Sequence, residues 1–145
     1  MEPYRELDHT ADVGLEISGH NPPELFINGV KGLFHLIAPR LPVVAAVETI
    51  SRDWHPETVE LNAVSNEDLL IHWLNEFIYR FFEKRVYPQK AKFIYLTENN
   101  LRAEIAFVRY RGADDNLTEI KAATYHQLKI SRRGGSYQAA VIFDV

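Results

Sequence analysis

Asp8-His9-Thr10-Ala11-Asp12-Val13-Gly14-Leu15-Glu16-Ile17-Ser18 is the stretch from which the rest of the chain can be read. From Val13 onward, the apolar Val13, Leu15 and Ile17 alternate with Gly14, Glu16 and Ser18, the period of a strand with one face in a core. Asp12 then falls on the face opposite those three apolar residues. The chain closes on the same rhythm: Tyr137, Ala139, Val141, Phe143 and Val145 share one parity, and Asp144 belongs to the other. Two strands that each bring an aspartate to a sheet end can converge on one cation, because hard cations take several oxygens from carboxylates and carbonyls. An aspartate at a strand mouth also serves to end the strand or bind a turn amide. Spacing alone leaves both roles open.

Working outward, Gly19-His20 turns the chain, Asn21 can cap a helix and Pro22 suits its first position. Phe26, Val30, Leu33, Phe34 and Ile37 then recur at helical spacing. Gly29 and Gly32 each weaken that helix by about 1 kcal/mol relative to Ala, so they point to close packing against another element. Pro39 and Pro42 end it. Residues 43–52 and 57–64 read as two strands forming a hairpin around Asp53-Trp54-His55-Pro56, with His55 solvated in the turn. Ser65 caps a second helix, whose buried face is Leu70, Trp73, Leu74, Phe77, Ile78 and Phe81. Asp68, His72 and Glu76 form a row four residues apart that could in principle hold a metal, but it reads rather as a solvated or ion-paired stripe, because no second histidine stands at metal-binding spacing in that helix.

Further strands are expected over 92–96 and 101–107, hinged at Glu98-Asn99-Asn100, and over 122–130 and 137–145, paired across Arg132-Arg133-Gly134-Gly135. An unbroken strand over 122–130 puts His126 on one face with Ala122, Thr124, Leu128 and Ile130, and Lys121 and Tyr125 on the other. The predicted fold is α+β: a single domain over residues 1–145, a two-layer sandwich of a six- to seven-stranded mixed or antiparallel sheet against two helices. Irregular element order and the lack of a Gly-rich phosphate loop exclude a doubly wound nucleotide-binding fold.

Composition narrows the chemistry. The formal charge of −4 argues against gripping nucleic acid by neutralising phosphates. No cysteine is present, which excludes disulfides, thiolate catalysis and zinc–thiolate sites and leaves oxygen and imidazole as ligands. Neither a signal peptide nor a membrane-spanning run is read, so a soluble cytoplasmic protein is expected.

Four blocks occur in one order: Asp8 to Gly14, Asp68-Leu69-Leu70-Ile71-His72-Trp73-Leu74-Asn75-Glu76, Lys121-Ala122-Ala123-Thr124-Tyr125-His126-Gln127-Leu128, and Val141-Ile142-Phe143-Asp144-Val145. Together, from Tyr4 to Val145, they resemble the archease family. The resemblance implies a protein that is not itself an enzyme but assists an RtcB-type RNA ligase in tRNA splicing or repair. Such a protein promotes guanylylation of the ligase, lets it turn over repeatedly and broadens its nucleotide use. It also implies a divalent metal, calcium first and magnesium or manganese as alternatives, on Asp12, Asp144 and a main-chain oxygen of Val145. Asp8, His9, Lys121 and His126 would be supporting or partner-facing residues. The ligase is the expected partner, with RNA met only through it and no membrane. The competing reading is a metal-dependent hydrolase of the phosphatase or nuclease kind, built on Asp12, Asp144 and His126 with Lys121 as an anion clamp.

Overall fold

The alternating stretch that follows Asp12 becomes an interior strand, paired on both sides. The computed structural model describes residues 2–7, 12–112 and 116–145. In it, β1 (Tyr4–Leu7) and β2 (Val13–Gly19) are antiparallel, with Leu7 opposite Gly14 and Tyr4 opposite Ile17. The sequence pattern misses β1 because its two central residues, Arg5 and Glu6, are charged and exposed. As an edge strand it has only its ends to bury, and Arg5 Nη2 reaches both carboxylate oxygens of its cross-strand neighbour Glu16 at 3.2 Å.

Helix α1 (Pro22–Ile37) begins as the sequence predicts. Asn21 is the cap, its side chain accepts the Glu24 amide at 2.9 Å, and two prolines fill the first positions where no amide is lost. Helix α2 (Asn66–Lys84) is capped in the same way by Ser65, which accepts the Asp68 amide at 3.1 Å. Between the helices the expected hairpin does not form. Residues 43–52 contribute only the two-residue β3 (Ala45–Ala46), a 3₁₀ turn follows at Arg52–Trp54, and β4 (Glu57–Asn62) pairs elsewhere. β3 lies parallel to β5 (Val86–Leu96), and β4 lies antiparallel to β6 (Asn100–Arg109). Alternation gives a strand its faces but not its partner, which is why proximity in sequence misleads here. His55 sits exposed at the end of the turn, as expected.

The last strands are β7 (Ala122–Thr124), β8 (Ile130–Arg133) and β9 (Ser136–Asp144). Gly134 and Gly135, both at positive φ, close the β8–β9 hairpin as the turn signal predicts. The nine strands among the described residues divide into two sheets. One has the order β1-β2-β9-β7, with β8 also on β9; the other has the order β3-β5-β6-β4. The α+β class and the two helices stand, and the strands number more than the six or seven expected because short edge strands carry little alternation.

Buried side chains from both sheets and both helices form one contiguous cluster. α1 packs on β2, and α2 touches α1, β4, β5 and β7. Trp73 lies at the centre, edge-on to Phe77 at 4.6 Å between ring centroids, and its indole N–H donates to the Phe26 carbonyl at 3.0 Å. The buried Asn28 donates to the Ser18 carbonyl at 2.7 Å, fixing α1 to the end of β2. No helix among the described residues is long and apolar enough to cross a membrane.

The two glycines of α1 mark the close approach that their cost predicts, but unequally. A Cβ on Gly32 would lie 2.5 Å from Leu15 Cδ2 and 3.0 Å from Tyr4 Cβ, whereas one on Gly29 would lie 3.3 Å from Ile17 Cδ1 and 3.4 Å from Leu74 Cδ2. Leu15 is fully buried and has little room to give way. Gly32→Ala is therefore expected to lose about 1–2 kcal/mol in urea unfolding, because overpacking exceeds the roughly 1 kcal/mol gained in helix propensity. Gly29→Ala should stay within about 1 kcal/mol of the wild type by the same balance; equal costs at the two positions would contradict this packing.

Candidate functional site

β9 brings the two ends of the chain together. It lies between β2 and β7, so that Phe143 has Val13 on one side and Ala123 on the other. Asp12 immediately precedes that row and Asp144 immediately follows it. On the other flank Ala122 is opposite Asp144, and the Lys121 amide donates to the Asp144 carbonyl at 2.8 Å. One end of the sheet thus gathers Asp12, Lys121, Asp144 and Val145. Asp12 is half-buried and the other three are exposed. The predicted Asp8 and His9 lie outside the described residues.

The donors at this end are oxygens, from the Asp12 and Asp144 carboxylates and the neighbouring main chain, a set that suits a hard cation such as calcium or magnesium rather than zinc. Among the described residues, no group of three or more His, Asp or Glu is arranged to hold a metal. Among the described residues, a cation at this end would have to draw on main-chain oxygens, as expected of Val145, beside the two carboxylates.

His126 lies elsewhere. The expected strand over 122–130 is broken: Thr124 pairs with Ile142 and Ile130 with Ala139, so six residues on this side span three on β9. The surplus forms a turn in which the Leu128 amide donates to the Tyr125 carbonyl at 3.1 Å and Gln127 adopts a positive φ of 54°. The turn resets the parity, and His126 is exposed instead of lying on an apolar face. Lys121 and His126 therefore flank β7 at opposite ends, with Lys121 at the Asp144 end. No glycine marks the turn, so the sequence carries no sign of it.

What shapes this segment is α2. Asn75 acts as a substitute strand: its Oδ1 accepts the Ala123 amide at 2.7 Å and its Nδ2 donates to the Ala123 carbonyl at 3.4 Å. Glu67 accepts the Ile130 amide at 3.0 Å where β8 begins. Between them, the Tyr125 hydroxyl donates to Asp68, which also accepts the Val64 amide at 3.1 Å and faces His72 Nε2 at 3.3 Å. These contacts hold the turn in place despite the left-handed Gln127, which costs about 1–2 kcal/mol for a residue with a side chain. The row Asp68, His72, Glu76 is the ion-paired stripe the sequence suggests, with Glu76 3.4 Å from Arg80 Nε and Arg80 also paired to Glu57. The clasping role of Asn75 is not legible in the sequence. The only hint is its position seven residues after Asp68, on the same helix face.

The electrostatics of the clasp follow from its geometry. The Tyr125 hydroxyl and then the Val64 amide hold the Asp68 carboxyl below its ordinary value; burial opposes them, and the charge of His72 adds a smaller effect in their favour. The same hydrogen bond pushes the Tyr125 phenol up to about 12. A cleft of about 570 Å³ opens elsewhere, at the start of α1, between His20, Lys31 and Phe93. A second cleft of about 410 Å³ runs beside Lys121 and Ala122, between the 119–122 segment and α2.

A two-helix α+β fold with acidic groups from both ends of the chain on one sheet edge has relatives. Residues 4–145 match the Archease protein family (MTH1598/TM1083), and the chain belongs to that family. It is 30% identical to the protein archease of Methanosarcina barkeri, over 98% of this chain and 95% of that one. It is 29% identical to the archease of Archaeoglobus fulgidus, over 98% of each chain. Among solved structures, the solution structure of Methanobacterium thermoautotrophicum protein 1598 superposes with a TM-score of 0.70 at 24% identity, covering all of both chains. The crystal structure of an archease from Thermotoga maritima, described as a possible chaperone, gives 0.61 at 24% identity, covering 97% of this chain and 96% of that one. At that identity these two establish the fold.

Two outcomes test the clasp. Asn75→Ala leaves the Ala123 amide and carbonyl without their side-chain partners and should cost about 1–3 kcal/mol, with faster hydrogen exchange at Ala123 than across β2. The tyrosine contact fixes a pH dependence. Because the folded phenol titrates above its ordinary value, its stabilisation is complete below about pH 10 and is lost as pH rises toward about 12. Because the Asp68 value is lowered, its stabilisation is present above the ordinary carboxylate range and is lost as pH falls through the lowered value. Phenolate absorbance, as the difference between wild type and Tyr125→Phe, should therefore titrate near pH 12, and in an Asp68→Asn background it should return toward 10. An unchanged titration in Asp68→Asn would refute the contact.

Proposed function

We propose that this protein is a cytoplasmic accessory factor, not itself an enzyme, for an RtcB-type RNA ligase. It promotes guanylylation of the ligase, supports its repeated turnover and broadens its nucleotide use in tRNA splicing or repair. Family membership over residues 4–145 supports this reading, as does the description of the Thermotoga maritima relative as a possible chaperone. The observation that carries it is the arrangement of β9, which sets Asp144 beside Lys121 and, like Asp12, one step beyond the Val13–Phe143 pair, at an exposed edge that a partner can approach.

Asp12, Asp144 and a main-chain oxygen of Val145 are the groups that would hold a divalent cation, calcium being the first candidate and magnesium or manganese the alternatives. Once bound, such an ion supplies positive charge toward phosphate oxygens. The chain's own part is positional. The half-buried Asp12 is held in line by β2, Asp144 is fixed through its carbonyl by the Lys121 amide, and the Lys121 ammonium offers a point charge to an anionic group. Asp8, His9 and His126 are assigned supporting or partner-facing roles.

A hydrolase reading would need an acid or base beside the two carboxylates. His126, at the far end of β7 from Asp144, is not placed for it by the strand register. The test is formation of the covalent guanylate on the ligase from radiolabelled GTP, with this protein in limiting amount. Wild type should drive many rounds. Asp144→Ala, with a melting temperature close to wild type, should lower the rate by at least tenfold. No acceleration by the wild type would overturn the reading, and turnover of a phosphate ester by this protein alone would favour the hydrolase.

A further inference from the structure

We propose that the cleft between the C-terminal half of α2 and the 119–122 segment is the docking pocket for the partner ligase, and that it receives an apolar side chain flanked by an arginine or lysine. The inference rests on the accessory reading and adds to it the surface that meets the ligase. The cleft holds about 410 Å³, enough for one or two large side chains. Its wall is apolar and aromatic: Ile78, Phe82 and Tyr79 from α2 face Ile120 and Ala122 across it. Tyr79 is 48% exposed, although the opposite face of α2 is fully packed in the core. A half-exposed tyrosine beside a concave apolar surface is the kind of anchor that dominates protein interfaces.

Charge complementarity gives the partner's character. Glu83 and Glu119 line the cleft on its two sides. Lys121, which also lines it, has its amide on Asp144, so the cleft lies next to the acidic end of the sheet. Counted with Asp12 and Asp144 at that end, the cleft and its surroundings carry four carboxylates against two lysines, Lys121 and Lys84, whose ammonium lies 5.9 Å from the centre of the Tyr79 ring. A segment entering it gains by bringing a basic residue, and a nucleic acid backbone would be repelled. Docking here would lay the partner across Lys121 and bring its neighbouring groups to Asp12 and Asp144.

The distinguishing experiment measures ligase guanylylation as a function of this protein's concentration, with direct binding to the ligase by fluorescence anisotropy. The variants are Tyr79→Ala, Glu83→Lys and Asp144→Ala, each checked by thermal melting. Tyr79→Ala and Glu83→Lys should raise both the half-maximal concentration and the Kd at least tenfold while reaching the wild-type maximal rate at saturation. Asp144→Ala should lower the maximal rate and leave the Kd within about threefold. If both cleft variants match the wild type in Kd while the wild type stimulates the ligase, the docking pocket is wrong and the accessory reading survives. If the wild type neither binds nor stimulates, both fall. A Tyr79→Ala effect seen only in self-association by sedimentation, with ligase affinity intact, would overturn the proposal in favour of a contact between copies of this chain.

Discussion

The antiparallel pairing of β2 with β9 is the contact on which the rest of the molecule depends. It joins residues near the start of the chain to residues at its end, so its loop-closure entropy must be recovered from many simultaneous contacts. The recovery comes from one side: Leu15, Ile17, Val141 and Phe143 are wholly buried against the helices, while the opposite face carries the polar ladder of Arg5 and Glu16. A slip of one residue in this register would turn every one of those side chains to water. It would also separate Asp12 from Asp144. The same constraint that forms the core therefore forms the candidate site, and no separate device is needed to align the two carboxylates.

The second helix has a double task. One face, with Trp73, Leu74, Phe77 and Phe81, is fully buried and fills the space between the sheets. Along its flank Glu67, Asp68 and Asn75 bind main-chain or tyrosine groups of the 122–130 segment, which is otherwise attached to the sheet by two short runs of pairing. An edge strand left unpaired invites association with another chain, and the Asn75 amide blunts that edge at Ala123. The clasp also sets where Lys121 stands, since the strand it precedes cannot slide along β9 while Ala123 is held from the other side. The order of the Lys121 end is thus a property of α2 as much as of the sheet.

Several of these features are legible in the sequence because each rests on local physics. The helix caps Asn21 and Ser65, the apolar stripes, the glycine pair of the β8–β9 hairpin, and the parity that puts Asp12 and Asp144 at strand ends are all written within a few residues of where they act. The close approach at Gly32 is legible in the same way, since a glycine inside a helix needs a reason. The resemblance of the four sequence blocks to archease agrees with the family match, and the second block now has a physical content: Asp68 and Asn75 bind the third block, at Tyr125 and Ala123.

By itself, then, the sequence determined the α+β class, the two helices with their ends and faces, and an aspartate at the end of a strand near each terminus, because propensity, capping and alternation are short-range. Only the tertiary structure decided the pairing partners and the division into two sheets, since a half-buried strand reads the same whichever neighbour it has. It alone placed His126 outside the apolar face, because the turn at Gln127 lacks a glycine and is held by Asp68 and Glu67 from a helix more than fifty residues earlier. Contacts across that distance leave no local signature, and they fix which of the recognised residues stand together.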